Sequence, residues 1–87
     1  MTLQQYLDKY LTKKEQQKRE FINASRSNLT SLENDGNLIN LKEIDLRFND
    51  FKSLKGIELM PNLEVIELYV NLLEDISDLK DLRKLYW

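Results

Sequence analysis

The chain of 87 residues contains no cysteine and no histidine, and it has only two glycines and one proline. Without cysteine it can form no disulfide bond and offers no thiolate nucleophile or cysteine-based zinc site. Without histidine, the common Ser-His-Asp and Cys-His catalytic arrangements cannot be assembled. Two separated glycines, Gly36 and Gly56, are too few for a glycine-rich phosphate loop. These absences argue against an enzyme, and we expect no cofactor and no bound metal.

Long apolar segments are also missing. No stretch approaches the roughly 20 consecutive apolar residues that a membrane span needs, and residues 1–11 mix Gln, Asp and Lys with their apolar residues, unlike a signal peptide. Hydrophobic residues make up 41% of the chain and charged residues 32%, which is typical of a soluble globular protein. We therefore expect a single folding unit in the cytoplasm, with no membrane contact.

The charge is unevenly distributed along the chain, although the net value is only −2. Residues 1–26 hold six Lys and Arg against three Asp and Glu, whereas residues 27–87 hold seven against twelve. An acidic surface repels polyanions. We therefore expect no nucleic-acid partner.

The dominant pattern is a repeat with a period of 22 residues. Residues 41–54 read LKEIDLRFNDFKSL, and residues 63–76 read LEVIELYVNLLEDI. The positions that match across the offset are Leu41/Leu63, Ile44/Ile66, Leu46/Leu68, Asn49/Asn71, Phe51/Leu73, Leu54/Ile76 and Ile57/Leu79. A fixed period of this length, with this internal pattern, predicts a solenoid of stacked strand-and-turn units.

The repeat resembles the leucine-rich repeat family, in particular its 22-residue form, as in internalin-like or protein-phosphatase-regulator-like short repeats. The resemblance implies an α/β leucine-rich repeat solenoid with a short parallel sheet. It also implies that Asn49 and Asn71 form a ladder that bonds backbone groups at the bend after each strand. Residues 21–87 would then form about three repeats, of which the first is degenerate and the last is incomplete. In the degenerate first repeat, Ile22 precedes Ile44 by 22 residues and occupies the equivalent position.

Residues 1–20 are predicted to form an N-terminal helical cap, because the first repeat of a solenoid would otherwise leave its core open to water. Thr2 and Gln5 suit a capping box at the start of a helix, and Thr12 and Glu15 suit a second one. The apolar residues at helical spacing in the first helix are Leu3, Tyr6, Leu7, Tyr10 and Leu11. The segment of residues 13–20 has no apolar stripe of its own, and we expect a solvated extension there rather than a nucleic-acid patch.

Side chains in the strands should alternate between the core and the surface. Ile44, Leu46, Ile66 and Leu68 are predicted to point inward. The other predicted core residues behind the sheet are Phe51, Leu54, Ile57, Leu59, Met60, Leu73, Ile76, Leu79 and Leu82. The outward positions would form the concave surface, which the resemblance implies is the ligand face. The candidate partner-binding residues are Glu43, Asp45, Arg47, Phe48, Val65, Glu67, Tyr69, Val70 and Trp87.

Asp45 and Glu67 are the one pair that suggests chemistry, since two adjacent carboxylates raise the pKa of one of them. We expect both on an open, hydrated surface, with Arg47 close enough to neutralise part of their charge. A carboxylate-dependent hydrolase is therefore the weaker alternative. Too few oxygen ligands converge there for a Ca²⁺ or Mg²⁺ site.

The favoured hypothesis is a protein-interaction module that acts by blocking or scaffolding a partner protein. An inhibitor from a mobile element or pathogen is one version, and a host adaptor is another. A second hypothesis treats the chain as the structural N-terminal part of a longer repeat protein, because residue 85 falls where another strand should begin. An uncovered parallel edge at that point could also pair with a second copy of the chain.

Overall fold

The computed structural model describes residues 1–74. The elements of this part of the chain are α1 (Leu3–Tyr10), α2 (Lys13–Lys18), β1 (Phe21–Asn23), β2 (Glu43–Asp45), a 3-10 helix (Ile57–Leu59) and β3 (Val65–Glu67). The predicted core residues Ile76, Leu79 and Leu82 and the predicted site residue Trp87 lie outside the described residues.

The three strands form a parallel sheet in the order β1-β2-β3. Ile22 pairs with Ile44, and Ile44 pairs with Ile66, so each step across the sheet is one 22-residue period. The ladder continues beyond the strands, where the Ala24 amide donates to the Asp45 carbonyl at 2.8 Å and the Leu46 amide donates to the Glu67 carbonyl at 2.9 Å. The predicted register and the short parallel sheet are confirmed.

The core lies behind the sheet and is made of the residues that recur with the period. The predicted inward residues Ile44, Leu46, Ile66 and Leu68 are all buried, and so are Phe51, Leu54, Ile57 and Met60. Leu73 is partly buried against this cluster. Burying a leucine or isoleucine side chain stabilises the fold by about 1.5–3 kcal/mol, so these repeating positions supply most of the apolar driving force.

The prediction that Leu59 belongs to the core is wrong, because its side chain is 43% exposed. Leu59 ends the 3-10 helix Ile57–Leu59. With three residues per turn, side chains three positions apart share one face of such a helix. Ile57 and Met60 occupy the buried face, and Leu59 therefore points away from it.

Both helices begin at the predicted capping boxes. The Thr2 hydroxyl accepts from the Gln5 amide while the Gln5 side chain accepts from the Thr2 amide, and Thr12 and Glu15 form the same pair of bonds in α2. Leu3 and Leu7 of α1 are fully buried in the core cluster. Each box satisfies two amides that would otherwise lack a partner at the helix start.

The buried side of the helical segment differs from the prediction at three residues. Tyr10 is 61% exposed, whereas Gln4 and Gln16 are buried. The Gln16 side-chain amide donates to Asp8 Oδ1 at 2.9 Å and to the Leu11 carbonyl at 3.2 Å, and its oxygen accepts from Gln4 Nε2 at 3.1 Å. A buried amide is tolerated when its bonds are satisfied. The prediction of a wholly solvated second helix is therefore wrong at Gln16.

Two turns depend on glycine. Gly36 has a φ of 80°, and Gly56 has a φ of 111°. A β-carbon at Gly56 would lie 2.6 Å from the carbonyl oxygen of Leu32. The close approach and the positive φ together reserve this position for glycine, and they hold the turn before the 3-10 helix against the preceding repeat.

Candidate functional site

The outward side chains of the strands, together with the second and third positions after each strand, form a surface that we call the strand face. Phe21, Glu43 and Val65 are aligned across it by strand pairing, and so are Asn23, Asp45 and Glu67. Adjacent members of a row lie on strands about 4.8 Å apart. The eight predicted partner-binding residues within residues 1–74 all lie on this face.

The chain turns sharply after each strand. Arg26, Phe48 and Val70 stand at equivalent positions 22 residues apart, and their φ values are 52°, 58° and 57°. A left-handed backbone is uncommon for residues other than glycine, and it is especially unfavourable for a β-branched valine. The 22-residue period aligns these three residues, but no sequence signal predicted the left-handed turn.

A contiguous group of one arginine and two aromatic residues lies at this end of the strands, and we call it the aromatic cluster. The Arg26 guanidinium lies 4.0 Å from the centre of the Phe48 ring. The Phe48 and Tyr69 rings meet edge to face, with their centres 5.7 Å apart and an angle of 88° between them. Phe48 is half-buried by these neighbours, whereas Tyr69 is 60% exposed. Tyr69 therefore presents an apolar ring and a hydroxyl to the outside.

Asp45, Arg47 and Glu67 form an ion-pair network beside the aromatic cluster. Arg47 Nε donates to Asp45 Oδ1 at 3.0 Å and to Oδ2 at 3.2 Å, and Arg47 Nη2 donates to Oδ2 at 2.8 Å. The Arg47 amide also donates to Oδ1 at 3.1 Å. Glu67 Oε2 lies 3.3 Å from Arg47 Nε. The prediction that Arg47 neutralises part of this charge is confirmed.

The prediction that Asp45 is open and hydrated is wrong, because only 3% of the residue is exposed. Its carboxylate turns back to accept from the amide two residues later, as Asn23 does from the Ser25 amide in the previous repeat. Short Asp and Asn side chains form this local bond readily. Asp45 therefore supports the bend after β2, and its oxygens are already occupied.

The two carboxyl groups respond in opposite directions to this arrangement. Burial acts to raise the pKa of Asp45, but the hydrogen bonds and the charge of Arg47 outweigh it, so the pKa of Asp45 lies below its ordinary value. For Glu67, burial and the nearby Asp45 charge raise the pKa above its ordinary value, and Arg47 only partly opposes them. An ionised Glu67 is therefore under electrostatic strain in the folded protein.

Replacing Glu67 by glutamine should consequently stabilise the fold at neutral pH. Because the folded-state pKa of Glu67 is raised, its contribution to stability is fully present below the ordinary value of 4.5 and is lost as the pH rises through the folded-state pKa. The glutamine variant does not undergo this loss. We expect its free energy of unfolding at pH 7 to exceed that of the wild type by less than about 1 kcal/mol, because solvent screens the interaction between partly exposed charges. Urea unfolding at pH 7 and at pH 4 measures the effect.

The control for this prediction is Glu33→Gln, which removes an exposed carboxylate located away from the strand face. Both variants should match the wild type at pH 4, and only Glu67→Gln should gain stability at pH 7. If Glu67→Gln were no more stable than the wild type at pH 7, the prediction that the ionised Glu67 side chain destabilises the fold would be contradicted.

The rest of the surface of residues 1–74 offers weaker candidates for a functional site. A polar cavity of about 440 Å³ lies at the opposite ends of the strands, and its lining includes Lys18, Glu20 and Lys42. Lys42 is engaged by Glu20 at 3.1 Å. The described residues contain no group of three acidic, histidine or cysteine side chains that could hold a metal ion. None of their helices has the length and apolar character needed to cross a bilayer.

Comparison with known proteins agrees with the repeat geometry. Residues 39–84, more than half of the chain, match a family model described as leucine-rich repeats in two copies. No curated protein and no solved structure gives a significant match. The family match spans β2, the 3-10 helix and β3, whose spacing and buried positions are those of the 22-residue period. The chain therefore belongs to the leucine-rich repeat family.

Proposed function

We propose that this chain is a protein-interaction module that binds a partner protein through the strand face and acts by blocking or scaffolding it. The observation that carries the proposal is the aromatic cluster of Arg26, Phe48 and Tyr69, which adjoins the exposed Val70. Tyrosine and arginine are enriched among the residues that dominate binding energy. Aromatic rings flanked by charged side chains are the usual composition of a protein interface.

The geometry of the backbone also supports binding. Leucine-rich repeat domains generally mediate protein–protein interaction. On this strand face, the side chains project from a hydrogen-bonded sheet, and Phe48 is held between Arg26 and Tyr69 before any partner arrives. Preorganisation of this kind lowers the entropy cost of association. An inhibitor and an adaptor would use the face in the same way.

A binding role without catalysis fits the contacts that the Asp45 and Glu67 carboxylates make. Both carboxylate oxygens of Asp45 accept hydrogen bonds from Arg47. Asp45 is therefore poorly placed to act as a general base. Glu67 lies beside it without a nucleophile among its hydrogen-bond partners in residues 1–74. We accordingly favour a non-enzymatic module over the carboxylate-dependent hydrolase.

Residues 1–20 act in this proposal as the cap of the repeat stack. The Leu3 amide donates to the Ser31 carbonyl at 2.8 Å, and the Gln4 amide donates to the Glu33 carbonyl at 3.0 Å. These bonds attach α1 to the first, degenerate repeat, and Leu3 and Leu7 fill its core. A capped start is compatible both with a separate binding module and with the structural first part of a longer repeat protein.

Tyr69→Ala should weaken binding of the partner by about 1–3 kcal/mol, which is typical for loss of an aromatic interface residue. Folding should be little affected, because Tyr69 is mostly exposed. The test is affinity capture from a lysate of the source cells with immobilised wild-type protein, followed by titration of the captured protein against each variant.

Tyr10→Ala is the matched control, because Tyr10 is 61% exposed but lies on α1. A partner that binds the wild type and Tyr10→Ala alike, but binds Tyr69→Ala and Phe48→Ala more weakly, supports the strand face. Equal binding by all four proteins would place the interface elsewhere.

A further inference from the structure

Three carboxylates surround one apolar side chain on the strand face, and we call them the acidic group. Glu43 and Asp45 lie on β2, and Val65 and Glu67 lie opposite them on β3. Neighbouring strands are about 4.8 Å apart, and alternate residues of one strand are about 7 Å apart. The four side chains thus occupy the corners of a small rectangle, with acids at three corners and the half-buried Val65 at the fourth.

Within residues 1–74, the acidic group is only partly neutralised. Asp45 takes the three shortest contacts of the Arg47 side chain, and Glu67 shares the same guanidinium at 3.3 Å. Within residues 1–74, the Glu43 carboxylate makes no ion pair, and the Arg26 guanidinium lies over the Phe48 ring instead. Among the described residues, three carboxylates therefore face one guanidinium at this part of the surface.

We propose that the strand face binds a protein segment whose lysine or arginine side chain lies over Val65 and reaches Glu43 and Glu67, while a neighbouring apolar side chain of the segment contacts Tyr69. This inference rests on the proposed binding function and adds the chemistry of the partner. The aliphatic stem of a lysine or arginine suits an apolar floor such as Val65, while its charged head remains near the carboxylates.

The spacing on β3 predicts the spacing in the partner. Tyr69 follows Glu67 by two residues, which corresponds to about 7 Å along an extended chain. The Phe48 amide donates to the Tyr69 carbonyl at 2.9 Å, so the hydrogen bonds between the two repeats continue to this point. In an extended segment that runs along β3, a basic residue and an apolar residue two positions apart would place the charged head at Glu67 and the apolar side chain at Tyr69.

Partners of other charge fit this surface less well. An acidic segment would meet the acidic group, and the one guanidinium that residues 1–74 place there is already engaged by Asp45. A wholly apolar segment would cover Glu43 and Glu67 without supplying a counter-charge, and an unpaired charge is costly to desolvate. A basic segment removes the excess negative charge and gains specificity from it.

The test is selection of peptides from a random display library on the immobilised full-length chain at pH 7 in low salt. We expect the selected peptides to be enriched in lysine or arginine two positions from an apolar residue. Synthetic versions should bind about tenfold more weakly to Glu67→Gln, should keep their affinity for the control Glu33→Gln, and should weaken as salt is raised.

The outcomes separate this inference from the proposed function. If the selected peptides are neutral or acidic, or if Glu67→Gln binds them as tightly as the wild type while Tyr69→Ala does not, the strand face stands and the basic partner is refuted. If basic peptides bind but neither Glu67→Gln nor Tyr69→Ala affects them, both proposals fail. A library that yields no binder also refutes the basic segment.

Discussion

Asn49→Ala is expected to lower the free energy of unfolding by about 3–6 kcal/mol, because it leaves several buried backbone groups without partners. Domains of this size are stabilised by roughly 0.05–0.15 kcal/mol per residue, so the substitution removes a large share of the total. We expect a much lower urea midpoint, or no cooperative transition at all.

The size of the effect follows from the contacts of one side chain. Asn49 Oδ1 accepts from the amides of Ser27 and Leu29, each at 3.0 Å. Its Nδ2 donates to the carbonyls of Ala24 at 2.9 Å and Leu46 at 3.0 Å. These bonds join the bend after β2 to the bend after β1 in the preceding repeat. Alanine would leave the two amides and the Ala24 carbonyl unpaired in a mostly buried site, whereas the Leu46 carbonyl would keep its bond from Asn71 Nδ2 at 2.9 Å.

Asn62→Ala is the control for this prediction. Asn62 also donates from Nδ2 to a carbonyl of the preceding repeat, that of Ile39, but this bond is exposed. Water can replace an exposed partner, and we therefore expect a loss of less than about 1 kcal/mol. Equal losses for Asn49→Ala and Asn62→Ala would show that the asparagine ladder does not hold the repeats together.

The repeat architecture was predictable because a fixed period constrains many residues at once. Ile22, Ile44 and Ile66 are aligned across the sheet at successive 22-residue steps, and one error of register would have moved every strand. Asn49 and Asn71 were recognisable for the same reason. Asn71 accepts from the Phe51 amide at 3.0 Å and donates to the carbonyls of Leu46 and Leu68, so it repeats the role of Asn49.

The sequence predicted which residues line the strand face, but not how their side chains are arranged. The alternation of strand residues placed Asp45 on the outer surface, but it does not reveal that Arg47 folds over Asp45 and buries it. That arrangement depends on side-chain rotamers and on the bond from the Arg47 amide to the Asp45 carboxylate. Likewise, strand alternation could not predict the left-handed φ of Phe48 and Val70, because alternation concerns the face on which a side chain lies and not the conformation of the turn after the strand.

Gln16 shows a different limit of sequence reasoning. A polar segment without an apolar stripe reads as solvated, yet the buried amide of Gln16 is satisfied by Gln4, Asp8 and the Leu11 carbonyl. Lys13 reinforces this network from outside by bonding Asp8 at 2.9 Å. Such a network joins α1 to α2 through side chains 5 to 12 residues apart, and no periodicity marks it.

Leu46→Ala and Leu59→Ala form a matched pair of variants. The pair tests whether the contribution of a leucine to stability follows its burial in the structure or the apolar pattern of the sequence. The same atoms are removed in both variants, and the sequence pattern assigns both leucines to the core. Leu46 is fully buried behind β2, whereas Leu59 is 43% exposed on the 3-10 helix. We expect Leu46→Ala to lower the free energy of unfolding by about 2–5 kcal/mol through loss of burial and creation of a cavity.

Leu59→Ala should cost less than about 1 kcal/mol, as substitutions at exposed positions usually do. Urea denaturation followed by circular dichroism at one protein concentration compares the two variants directly. A similar loss for both would mean that Leu59 is buried in solution and that the 3-10 helix directs Leu59 into the core. A large loss at Leu46 alone supports a core that follows the strands, with Leu59 left on the outer surface.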